Sequence, residues 1–271
     1  MARPLWFVKI IKKAFPGIKT IAKLSRIPFL GKLFELLLFK GDEIIYLPDD
    51  KIIQINKEVD KPQDLVVPSE IIKYFINRTE YLWKMDFCIC RSSMDCQDYP
   101  IDYGCLFLGK GILDINPSLG KKISRNEALD YIQKCSEAGL VHLIGKNRLD
   151  KQWLGVHDGD KLLTICNCCP CCCLWRIAPI LEKRLGSKVK KVDGVEVHVT
   201  EKCIGCGICT DGICFVDAIH LINHQAVITD ECRGCGRCVS TCPQKAIEIS
   251  FQDNDYISKS IERIEKIIDL S

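Results

Sequence analysis

The chain has 271 residues, 47% of them hydrophobic and 27% charged, with a formal net charge of +3. That is too long for one small domain and too apolar for a disordered tail, so two or three units with a real core are expected. No apolar run reaches the roughly 18–20 residues that cross a bilayer, and lysine interrupts the N-terminal apolar residues too often for a secretory signal.

Residues 1–40 carry nine bases (Arg3, Lys9, Lys12, Lys13, Lys19, Lys23, Arg26, Lys32, Lys40) against one acid, Glu35. Apolar and basic positions alternate there at helical spacing, with breaks at Pro16–Gly17 and Pro28. The pattern predicts two or three short amphipathic helices, a basic helical N-terminus. These helices either pack on the core with their lysines solvated or lie on a membrane. In the second case the lysines meet anionic headgroups, and Trp6, Phe7, Phe29 and Phe34 sit in the interface. The expected location is the cytoplasm, with or without peripheral contact at the inner face of the membrane.

A middle domain is expected over 41–190. It opens with a hairpin, Ile44–Leu47 and Ile52–Ile55 around Pro48-Asp49-Asp50. Ser69 starts a short helix reaching Ile76. Trp83, Met85, Phe87 and Ile89 alternate as in a strand, which would set Cys88 and Cys90 on one face. Ser124-Arg-Asn-Glu127 is a capping box opening a helix that Gly139 ends. Leu140–Ile144 and residues 161–168 read as buried strands, and a helix is expected from about Leu174 to Leu185. Residues 191–252 read as a strand–loop–helix unit given twice, followed by a closing amphipathic helix within 253–271.

Nineteen cysteines dominate the chemistry. Adjacent cysteines such as Cys168–Cys169 and Cys171–Cys172–Cys173 suit thiolate ligation better than disulfides, and they imply a reducing, intracellular and anaerobic setting. CIGCGICTDGIC supplies Cys203, Cys206, Cys209 and Cys214; CRGCGRCVSTCP supplies Cys232, Cys235, Cys238 and Cys242. Three thiolates two residues apart wrap three irons of one cube, while the fourth cysteine lies too far round and reaches the other. One [4Fe–4S] cluster is therefore expected on Cys203, Cys206, Cys209 and Cys242, and a second on Cys232, Cys235, Cys238 and Cys214. Glycines 205, 207, 234 and 236 permit the tight turns. Zinc on the same cysteines is the weaker alternative, because this duplicated spacing is not that of a usual tetrahedral site.

Over about 50 residues these motifs resemble the bacterial two-cluster ferredoxins. The second motif, with Pro243 and Ala246-Ile247-Glu248-Ile249, fits that family throughout. The first departs from it: four residues separate Cys209 from Cys214, and Phe215 stands where the family has proline. The resemblance implies electron transfer by the two clusters, and a different loop shape and potential on the first side.

Two further groups lie in the middle domain: Cys88, Cys90, Cys96 and Cys105, and then Cys166, Cys168, Cys169, Cys171, Cys172 and Cys173. Each begins with C-x-C at the end of a predicted strand. We expect the two strands to lie side by side and to bring both groups to one metal region, holding one or two further iron–sulfur clusters. Zinc or plain structural thiols are alternatives for the first group. Cys135 is expected in the core. The segment Cys88–Cys173, with GLVH before the NCCPCCC run, resembles a cysteine-rich iron–sulfur family of anaerobes and archaea that carries no established activity.

His142 and His198 read as structural, while His157, His220 and His224 read as surface positions. Signatures for nucleotide, flavin, nicotinamide, haem attachment and radical chemistry are missing, and nothing favours nucleic acid as a partner. The expected fold is α+β: a ferredoxin-like (βαβ)2 dicluster module on a cysteine-rich α/β middle domain. The expected function is electron transfer to and from redox partner proteins. The alternatives are a reductase or a redox sensor with the middle cluster as its working site.

Overall fold

The computed structural model describes residues 2–50, 68–252 and 255–270. Helices Leu5–Ala14, Ile18–Leu24 and Pro28–Phe34, the last continuing as a π turn Glu35–Phe39, form the N-terminus, with breaks at the two proline sites. Val8, Ala22 and Phe39 anchor them in the core, and the Arg26 guanidinium donates to the carbonyls of Pro179 and Ile180 at 2.9 and 2.8 Å. Among the described residues no helix is long and apolar enough to cross a membrane.

The centre is a seven-stranded mixed sheet: β1 (Glu43–Tyr46), β2 (Leu82–Met85), β3 (Leu106–Leu108), β4 (Gly120–Lys122), β5 (Val141–Lys146), β6 (Leu163–Cys168) and β7 (Val189–Lys191). Their spatial order is β4-β2-β3-β6-β5-β1-β7, antiparallel throughout except for β1 beside β7. Alternate residues enter different cores, because side chains on a strand point to opposite faces. Ile45, Leu106, Ile144 and Ile165 pack on one face with helices Ser69–Asn77, Arg125–Glu137 and Tyr256–Glu265. Ile44, Tyr46, Val141 and Leu143 pack on the other with Ala22, Phe39 and Trp175.

The helix after Ser124 forms with the full capping box. Beyond it Gly139 turns at φ +74°, in the left-handed region that favours glycine. The second strand of the first hairpin falls outside the described residues. Two expectations need correction. The run through Ile89 is not a continuous strand: β2 ends at Met85, Cys88 caps the short helix Ile89–Ser93, and β3 lies between β2 and β6, so the two are not side by side. The cause is local pairing. The β2–β3 ladder ends at Lys84 opposite Leu106, and the chain then satisfies its carbonyls as a helix, with Ser92 N–H on Cys88 and Met94 N–H on Cys90. Likewise, residues 174–185 form only a 3-10 turn, Leu174–Ile177, and the short helix Lys183–Gly186.

In the C-terminal part β8 (Val195–Val199) pairs antiparallel with β11 (Ile247–Phe251), and β9 (Ile219–Ile222) with β10 (Gln225–Ile228). The β9–β10 turn uses Asn223 and His224, both at positive φ, as a two-residue hairpin requires. The second half has a helix, Arg237–Thr241, whereas the first has only a 3-10 turn, Ile208–Thr210. Val195, Ile219, Ala226, Val239 and Ile247 join the core that lies on the first face of the large sheet.

Candidate metal centres

Four sets of cysteines result. One cavity is lined by Cys203, Cys206, Cys209 and Cys242, and a second by Cys214, Cys232, Cys235 and Cys238. Each therefore draws three thiols from one run and one from the other. Gly205 and Gly234 turn at φ +68° and +65°, and Gly207 and Gly236 at +78° and +79°, so the two loops repeat one conformation. A Cβ on Gly205 would lie 2.1 Å from the His224 carbonyl oxygen, so only glycine fits there.

Backbone amides point at the sulfurs. Ala218 N–H donates to Cys214 Sγ at 3.2 Å and Ala246 N–H to Cys242 Sγ at 3.3 Å, the same four-residue step in each half. Ala226 N–H and Gly234 N–H reach Cys203 and Cys232, each at 3.4 Å. Such bonds favour the thiolate, the form that binds metal. Burial works the other way and pushes the Cys235 thiol up to about 12, so a metal cation is what this pocket needs for the ionised form.

The middle cysteines regroup. Cys96 leaves its sequence neighbours and joins Cys169, Cys171 and Cys172, all four sulfurs lying within 4.8 Å of one another. Cys88, Cys90, Cys105, Cys166, Cys168 and Cys173 make a deeper set. Cys166 and Cys168 share one face of β6, as their spacing predicts. Cys105 adjoins Cys166, sulfur to sulfur, at 3.7 Å. Hydrogen bonding from Cys90, outweighing burial, lowers the Cys88 thiol to about 7; bonds from Cys105 and Cys168 hold Cys166 well below the ordinary thiol value.

Two residues passed over in the sequence reading frame these sets. Arg91 is fully buried, and its guanidinium donates to the carbonyls of Pro100 and Asn167, each at 2.8 Å, and to that of Tyr103. Among the described residues it has no carboxylate partner. A buried charge without an anion costs several kcal/mol, so its counter-charge is the surrounding sulfur. Burial alone would lower its pKa, but Cys88, Cys169 and Cys168 hold it above the ordinary value. Tyr46 is also fully buried, and its hydroxyl has no hydrogen-bond partner. Burial first, then Cys173, Cys168 and Cys235, raise its pKa. Tyr46 thus stands between the deep set and the second C-terminal cavity. Its ring is tilted against Phe215 at 5.5 Å between centroids. The signal for Arg91 was its place immediately after C-x-C; Tyr46 gave none.

Asn167, between the two β6 cysteines, faces the other way. It meets His142 Nδ1 at 2.8 Å and donates to Gly104 O at 2.8 Å. His142 is accordingly structural, its other nitrogen on Ser136 Oγ. Cys135 is buried in the core, which pushes its thiol up to about 12.

A groove of about 700 Å³ whose wall carries both bases (Arg26, Lys190, Arg233) and acids (Glu182, Asp193, Glu231) reaches Cys232. At the first cavity Cys206 is exposed, and Ile204, Ile208, Leu221 and Ile222 are exposed around it.

Residues 211–252 match the family described as the LdpA Fe-S cluster-binding domain, a span that includes Cys214, Cys232, Cys235, Cys238 and Cys242. No curated protein and no solved structure matches the chain. With its cysteine sets, the match makes this an iron–sulfur protein.

Proposed function

We propose that the chain is an electron-transfer protein with two [4Fe–4S] clusters in its C-terminal module and one more on the deep middle set. The carrying observation is that each C-terminal cavity is lined by three cysteines of one run and one of the other. That interleaving is the ligand arrangement of two neighbouring cubes. Cys203, Cys206, Cys209 and Cys242 would hold the outer cluster, and Cys214, Cys232, Cys235 and Cys238 the inner one. When bound, each cluster supplies a one-electron centre. The chain's part is to hold the thiolates ionised through amide N–H bonds and to exclude water.

The unpartnered Tyr46 hydroxyl and the carboxylate-free Arg91 support an anionic group among Cys88, Cys90, Cys105, Cys166, Cys168 and Cys173. Tyr46, which packs on Phe215 of the inner cavity and shares a core with Cys168 and Cys173, supports a deep site next to the inner cluster. The path then runs from the deep site through the inner cluster to the outer one, where exposed Cys206 and its apolar rim suit a redox partner protein. The test is an anaerobic titration with viologens of graded potential. Reversible reduction and reoxidation without loss of iron is expected, whereas iron release on the first cycle would contradict a carrier.

The N-terminal helices are proposed as a dock for an anionic membrane surface. Trp6, Ile10, Phe29, Leu36 and Leu37 are exposed among the lysines, with Phe29 at 77%. Phe7 and Phe34 are half-buried, so they belong less to that surface than Trp6 and Phe29 do.

A further inference from the structure

We infer that Cys96, Cys169, Cys171 and Cys172 form a separate site for one tetrahedral divalent ion, zinc or ferrous iron, and do not hold a cluster. Their four sulfurs lie within 4.8 Å of one another, and Cys96 and Cys171 are 3.5 Å apart. A single ion with Zn–S bonds near 2.3 Å spaces its sulfurs by about 3.8 Å. A cube carrying one thiolate at each corner must hold them farther apart. The molecule supplies its own comparison. The eight C-terminal cysteines also gather in fours, yet among the described residues no other three ligand groups meet the same limit.

The local chain fits the smaller site. Cys169-Pro-Cys-Cys172 gives the two-residue spacing of a structural zinc turn, and Cys172 N–H donates to Cys169 Sγ at 3.3 Å. Cys96 closes the site from 73 residues earlier (169 less 96). Cys171 is exposed, so an ion can enter from solvent. The ion would tie the loop after the Ile89–Ser93 helix to the loop after β6. The helix and strand that lead into those loops carry Cys90, Cys166 and Cys168 of the deep set, and Arg91 lies on the helix. The site thus fixes the geometry of its neighbour without lying on the electron path.

The test uses the full chain purified without oxygen, with zinc, iron and acid-labile sulfide measured per chain. We expect about one metal ion in excess of the iron that matches sulfide, and cobalt supplied in growth to enter that position with the visible absorption of a tetrahedral thiolate site. Zinc or iron analysis says which ion it is. The double substitution Cys171→Ala, Cys172→Ala should remove that one ion and leave sulfide unchanged, which also shows that the clusters still assemble. A variant that loses iron and sulfide in equal amounts overturns the site. So does a wild-type protein with iron equal to sulfide and no zinc, whatever the variant does.

Discussion

Half-buried Cys235 lines the inner cavity with Val197, Phe215 and Ile219, and the backbone offers it a bond through the Arg237 amide. Cys235→Ala should lower iron and sulfide by about four each, while metal at the middle sets stays. Loss of all iron would contradict independent sites. Arg91 makes a sharper test of electrostatics. Arg91→Gln removes a positive charge beside Cys88, Cys168 and Cys169. The reduced, more negative state of a neighbouring cluster should then become harder to reach, and its potential should fall. The signals of the C-terminal pair should not move, and an unchanged deep-site potential would separate Arg91 from the metal. Asp42 belongs at this scale too. Burial raises its pKa to about 7, against a lowering bond from Arg148 N–H. The folded state therefore holds a proton that the unfolded state releases above about pH 4, and stability falls as pH rises from there to about 7. Asp42→Asn should flatten that slope, by at most about 4 kcal/mol. Equilibrium unfolding of both forms between pH 5.5 and 8 reads it. Equal slopes would assign the dependence elsewhere.

At the level of elements, local signals were legible where they are physically local. The capping box at Ser124, the proline breaks of the N-terminus and the glycines of the cluster loops each act through one turn of chain. Each appears where its residues stand. The C-x-C rule was legible at Cys166 and Cys168 because β5 pairs with β6 through both cysteines. It failed at Cys88 and Cys90 because the ladders of β2 with β3 and β4 stop at Lys84 and Met85, and pairing partners are not written in a single segment. The regrouping of Cys96 with the later cysteines was invisible for the same reason, since it depends on long-range contact between two loops. The N-terminal helices make a prediction here. Truncation would strip Val8, Ala22 and Phe39 from the core, so exposed positions are the cleaner target. Trp6→Asp with Phe29→Asp should weaken sedimentation with anionic vesicles at least tenfold at low salt, through lost apolar burial. Equal sedimentation would retire the membrane surface as the partner.

For the whole molecule, the seven-stranded sheet and the C-terminal strands share one core, and Arg237 ties them at the surface, donating to the Gly139 carbonyl at 2.6 Å and to the Tyr99 hydroxyl at 3.0 Å. Phe215, at the position where the ferredoxins that the motif resembles carry proline, packs against Tyr46 of the middle domain. That departure, read from sequence as a change in the first loop, is in space the contact between inner cavity and deep set. The continuity of the proposed path rests on it. The most direct measurement is acid-labile sulfide and iron per chain in anaerobically purified protein, with EPR after dithionite reduction. About twelve sulfides, and spin coupling between neighbouring clusters, are predicted from three cubes. About eight or fewer, or signals from isolated clusters only, would contradict a continuous path from the deep site to the surface.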